Sequence, residues 1–130
     1  MTYFHARIID ADFDAVLART REALKTQGFG VLTEIDVAAT LKEKIGEDFR
    51  PYRILGACNP RMAHEALEME PHVGVMLPCN VVVQQIDGQA EVFAVDPAAS
   101  MSAIDNPELL RHARSVGEKL RAAHFASSRL

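Results

Sequence analysis

The two cysteines of this chain both lie in a Cys-Asn dipeptide beside a proline, Cys58-Asn59-Pro60 and Pro78-Cys79-Asn80. A thiol serves as nucleophile, metal ligand or small apolar filler according to its surroundings, so the pair must be read in context. Asn59 followed by Pro60 has the chemistry of a helix N-cap and a first helical residue that does not need its missing N–H. Cys58 then sits just outside a helix N-terminus, where amide N–H groups and the helix dipole favour an anion and lower a thiol pKa. The competing reading is a buried cysteine acting as a small apolar residue while Asn59 caps the helix. Cys79, on a strand, carries the same two readings.

Other side chains offer weaker chemistry. Glu34 and Asp36 flank Ile35, so a strand would project both to one side, as a paired carboxylate site for acid–base work or a hard cation. Asp36 is also explained as a helix cap. His64 and His72, together with Cys58 and Cys79, make a Cys/His zinc set by residue type, although no Cys-x-x-Cys or His-Glu-x-x-His spacing supports it. His5, His112 and His124 belong to no motif. Arg50, Arg53 and Arg61 lie near one strand-to-helix junction and either attract an anionic ligand or form a solvated edge with scattered ion pairs. There is no phosphate loop, dinucleotide fingerprint or Gly-x-Ser-x-Gly elbow, so the sequence points to no cofactor.

The elements that must position these residues follow from periodicity. Tyr3 to Ile9 alternates as a half-buried strand. Asp10 and Asp12 offer caps for a helix carrying Phe13, Val16, Leu17, Thr20 and Leu24 on one face and stopping at Gly28. Phe29 to Ile35 reads as a strand, and Asp36 caps a shorter helix with Val37, Leu41 and Ile45 on one face, closing at Gly46. Tyr52 to Ala57 is another strand; the helix after Asn59 turns Met62, Ala63, Ala66, Leu67 and Met69 inward. Val73 to Leu77 and Cys79 to Ile86 read as a strand bent at Pro78. Asp87-Gly88 is a hairpin turn, with Gln89 to Asp96 returning antiparallel. Pro97 through Asp105 reads as a loop. Asn106-Pro107 starts a long helix, about residues 107–126, bearing Leu110, Ala113, Val116, Gly117, Leu120 and Ala123, and Ser127 to Leu130 are expected to fray.

Three of these segments together, Gly28 to Asp36, Tyr52 to Pro60 and Leu77 to Val83, resemble in order and spacing the bacterial and archaeal family called domain of unknown function 302. The resemblance covers about residues 3–100, and the Asp96-Pro97 end of the fifth strand is similar to the family pattern as well. It implies an α+β domain with a curved, mainly antiparallel sheet of about five strands and helices packed on it, a TATA-binding-protein-like layout, often as a homodimer. It implies no established activity, and fold likeness does not bring DNA binding with it.

Composition bounds the rest. With 130 residues, 48% of them hydrophobic, the chain has material for one well-buried core, hence one domain over 1–130. A formal charge of −4 argues against a phosphate-binding surface and so against nucleic acid. Apolar runs are too short for a membrane span, and Met1 to Arg7 lacks the features of a secretory signal, which leads to the expectation of a cytoplasmic protein with reduced thiols. The leading functional reading is a binding domain for a small anion or sulfur species where the Cys58-Asn59-Pro60 turn meets the Pro78-Cys79-Asn80 bend. The rival is a sulfur carrier or redox enzyme in which Cys58 attacks and Cys79 resolves. A third class is a structural or interaction module without a small-molecule site.

Overall fold

The computed structural model describes residues 2–127 and runs β1 (Phe4–Ile9), α1 (Phe13–Thr26), β2 (Gly30–Asp36), α2 (Val37–Ile45), β3 (Tyr52–Cys58), α3 (Pro60–Met69), a 3-10 helix (Pro71–Met76), β4 (Cys79–Ile86), β5 (Gln89–Val95), α4 (Pro97–Ser100) and α5 (Pro107–Ser127). The strands form one open sheet in the order β1-β5-β4-β3-β2, antiparallel at every pairing. With helices packed on that sheet, the chain is α+β.

Local chemistry sets the order. Asp87 and Gly88 both take positive φ, 44° and 78°, which is the two-residue turn whose twist suits a hairpin, so β4 and β5 pair directly. β1 docks outside β5, so α1 must carry the chain across the sheet to deliver β2 at the far edge. It begins at Asp12, whose Oδ1 accepts from the Ala15 N–H at 2.8 Å, and it buries Phe13, Val16, Leu17 and Leu24. Its one buried polar side chain, Thr20, donates its hydroxyl to the Val16 carbonyl at 2.7 Å.

The alternating positions of the strands divide the sheet into two faces. Leu55 and Ala57, Cys79, Val81 and Val83, and Ala90, Val92 and Ala94 meet α1 together with Leu120 and Ala123 of α5 in the main core. On the opposite face Phe4, Phe93 and Tyr52 stack edge to face, with centroids 6.3 and 6.1 Å apart. A smaller second core gathers Ala66, Val73, Met101, Leu109 and Ala113 between α3, the 3-10 helix and α5.

Several expectations change. Val73 to Leu77 is not a strand: Pro71 opens a 3-10 helix, and the Glu70 carboxylate accepts from the His72 N–H at 2.7 Å, so a capped helical turn prevails over an apolar run. The stretch after Asp96 is not all loop, since the Asp96 carboxylate accepts from Ala98 N–H and starts the short α4. Helix α2 forms from Asp36 onward, yet it buries none of its side chains. In α3 only Ala66 is buried, and Leu67 is exposed. In α5 the core position is Leu109 rather than Leu110. Ser127 is helical, and residues 128–130, expected to fray, lie outside the described residues. Among the described residues no helix is long and apolar enough to cross a membrane.

Candidate functional site

The β3–β4 ladder places Ala57 opposite Cys79, with Cys58 one residue further along at the end of β3. Asn59 then turns the chain into α3 by accepting from the Met62 N–H at 3.3 Å on its Oδ1, while its Nδ2 donates to the Gln27 carbonyl at 3.4 Å. One side chain thus ties the start of α3 to the end of α1. Gly56 permits the close packing on the other side, because a Cβ there would lie 2.1 Å from Thr33 Oγ1 and 2.8 Å from Pro78 Cγ.

These constraints leave a cavity of about 290 Å³ at the end of the sheet. It occupies the seam between the two cores: Phe29, Ala57 and Cys79 belong to the first, Ala66, Met101 and Ala113 to the second. Cys58, Asn59, Met62, Ala63 and His112 complete the relevant wall, with the exposed Leu32 at its margin. The sequence-predicted turns therefore meet at one hollow.

The polar groups of the wall are engaged with their own neighbours. Asn59 uses both ends of its amide as described above. His112 Nε2 lies 2.7 Å from the Met62 carbonyl, which makes it the donor, and Nδ1 lies 3.6 Å from Glu65 Oε2. What faces the space is hydrocarbon, sulfur and imidazole. Burial pushes the Cys58 thiol up from its ordinary value, and it pushes Cys79 up to about 11, with neighbouring Cys58 adding to the rise. For Cys58, which precedes the Asn59 cap, burial thus raises the thiol pKa rather than lowering it.

The profile of the family described as "Domain of unknown function DUF302" matches residues 5–125. The chain belongs to the DUF302 family. The matched region takes in most of α5, so the long helix is part of the DUF302 domain and not an addition to it. The crystal structure of an uncharacterized conserved protein DUF302 from Bacillus stearothermophilus superimposes with a TM-score of 0.91 at 28% identity, covering 97% of this chain and 98% of that one. Among curated proteins, none matches.

Within this DUF302 domain the remaining candidates lie elsewhere. Asn80 and Pro60 are exposed and do not line the cavity. Glu34 and Asp36 do share a side of β2, but arginines neutralise them: Glu34 pairs with Arg21 and Arg53, and Arg53 Nη2 reaches Asp36 Oδ2 at 3.1 Å. Asp36 Oδ1 also caps α2 at Ala39 N–H, 2.9 Å away. His64 is exposed beside Glu68 at 3.3 Å, and His72 is exposed beside Glu70 at 2.9 Å, so neither joins the cysteines. Among the described residues no three His, Cys, Asp or Glu side chains gather as a metal cluster. Arg50 donates to Gln84 at 2.8 Å, remote from the thiols in the fold. His112 is the functional candidate that motif reading misses. Its signal lay in spacing, three residues after Leu109 and four before Val116, on the inward stripe of α5.

Proposed function

We propose that this DUF302 domain is a binding module whose ligand occupies the Cys58/Cys79 cavity and is held chiefly by apolar and sulfur contacts. The supporting observation is the cavity itself, about 290 Å³ of space beside both thiols, close to the lower end of the range of small-molecule pockets. A free anion finds little to hold it, because no lysine or arginine lines the wall and the Asn59 amide is already bonded. An uncharged small molecule or a neutral sulfur species suits the lining. The sulfur-carrier or redox reading has less support, since burial keeps both thiols protonated at neutral pH.

The test uses the neutral apolar fluorophore N-phenyl-1-naphthylamine with the full chain. Saturable enhancement of its emission is expected for the wild type. Ala63→Leu, which adds carbon to the cavity wall from a helical position, is expected to abolish it while leaving the circular dichroism unchanged. No saturable binding by the wild type, or equal binding by the folded variant, would rule out the cavity as the site.

A second reading, pairing with another copy of the chain, is favoured by one separate observation. Ile45 of α2, Ile35 and Leu32 of edge strand β2, and Phe49 leave large apolar surfaces in solvent. An antiparallel edge strand can pair with its own copy about a two-fold axis, which would cover these residues on both chains together.

A further inference from the structure

Both cysteines and two of the five methionines, Met62 and Met101, line one cavity although they come from four different segments: the end of β3, the start of β4, α3, and the residue following α4. Methionine in a core normally fills irregular gaps with its flexible thioether. Here both methionines line unfilled space. No carboxylate lines that space, so a hard cation would find no oxygen donors there. Zinc fits no better: it requires four ligands, and the one histidine in the wall has its Nε2 directed at the Met62 carbonyl. A soft cation has different needs. Copper(I) prefers sulfur, both thiolate and thioether.

We propose that this cavity takes a soft monovalent metal ion, with copper(I) as the representative, on the sulfurs of Cys58 and Cys79 with Met62 and Met101 as thioether donors. The proposal deepens the cavity reading and rests on it. Cys79 stands opposite Ala57 on the neighbouring strand, Cys58 is the next residue at the end of β3 where the chain leaves the ladder, and both border the same cavity. Binding is an exchange and not a redox step: each coordinated thiol gives its proton to solvent, the metal keeps its oxidation state, and two Cu–S(thiolate) bonds leave the site with one negative charge. The N-terminus of the ten-residue α3 beside Cys58 is the group placed to offset that charge. Because protons are displaced, affinity rises with pH.

The experiment is an anaerobic titration of the reduced full chain with copper(I) against the chromophoric chelator bathocuproine disulfonate. One equivalent of copper(I) is expected to be withheld from the chelator, with an ultraviolet thiolate-to-metal band and sulfur neighbours in the X-ray absorption of the complex. Cys58→Ser is expected to weaken retention by more than the roughly 10- to 100-fold that loss of an outer-sphere partner costs. Met62→Leu, which keeps volume and fold, is expected to weaken it by a smaller factor. Failure of the wild type to compete, retention unchanged in Cys58→Ser, or a copper shell of nitrogen and oxygen alone would each overturn the proposal. The fluorophore separates the two claims: dye binding without copper(I) retention removes the metal and leaves the cavity reading standing, whereas absence of both removes the two together.

Discussion

Cys79 shows how burial governs a residue that sequence alone leaves ambiguous. It is 6% exposed, its thiol is pushed up to about 11, and the unfolded thiol titrates near 9.0. Between those values the native chain keeps a proton that the unfolded chain has lost, so stability is full below about pH 9 and declines as pH rises toward 11. A shift of that size corresponds to about 3 kcal/mol of lost stability once both states have titrated. Urea unfolding from pH 7 to 10.5 is expected to show this decline, and Cys79→Ala is expected to flatten it; a wild-type curve with the same slope as the variant removes the assignment. Iodoacetamide labelling of Cys79 should likewise stay slow at neutral pH. Asn59 was legible at this scale because its cap is a local interaction, three residues in length. For His112 the spacing on α5 marks only the inward side, and the Met62 carbonyl that it meets lies on another helix, where no local pattern records it.

At the scale of elements, the β3–β4 ladder brings Cys58 and Cys79 to the cavity, and Gly56 of β3 is where Thr33 of β2 and Pro78 close in from its two sides. Gly56→Ala would bring a methyl against Thr33 Oγ1 and Pro78 Cγ, and Pro78 adjoins Leu77 and Cys79 in the cavity wall. The expected cost is about 1–3 kcal/mol in denaturant unfolding. Thr33→Ala in the same chain is expected to recover only part of it, because the rigid proline ring remains; full recovery would assign the whole obstacle to Thr33. The strands, α1 and α5 were legible because period 2 and period 3.6 are strong over their lengths. The 3-10 helix was not, since Val73-Gly74-Val75 reads as a strand until the Glu70 cap and Pro71 are weighed together. The burial of α2 was not either: Val37, Leu41 and Ile45 form an apolar stripe, but periodicity states which side is apolar and not whether anything lies against it.

For the whole molecule, the sheet carries helices on its core face, leaves an aromatic row on the other, and keeps β2 and α2 at an edge with apolar side chains in water. If a second copy covers that edge, light scattering will give twice the chain mass, and Ile45→Glu will halve it while changing unfolding of the isolated chain by no more than about 0.5 kcal/mol. A wild type that scatters as a monomer across the concentration range excludes the pairing. By itself the sequence determined the α+β class, the hairpin at Asp87-Gly88, the caps at Asp12, Asp36 and Asn59 and the family, because these depend on neighbours within a few residues or on motif order. Only the tertiary structure decided that the two Cys-Asn turns share a hollow, that Glu34 and Asp36 are neutralised by Arg21 and Arg53, and that His64 and His72 stand apart from the thiols. The physical reason is one of range: a cavity is a mismatch between packed surfaces, here the two cores that meet around Phe29, Ala66 and Ala113, and no single segment records the shape of the surface it will face.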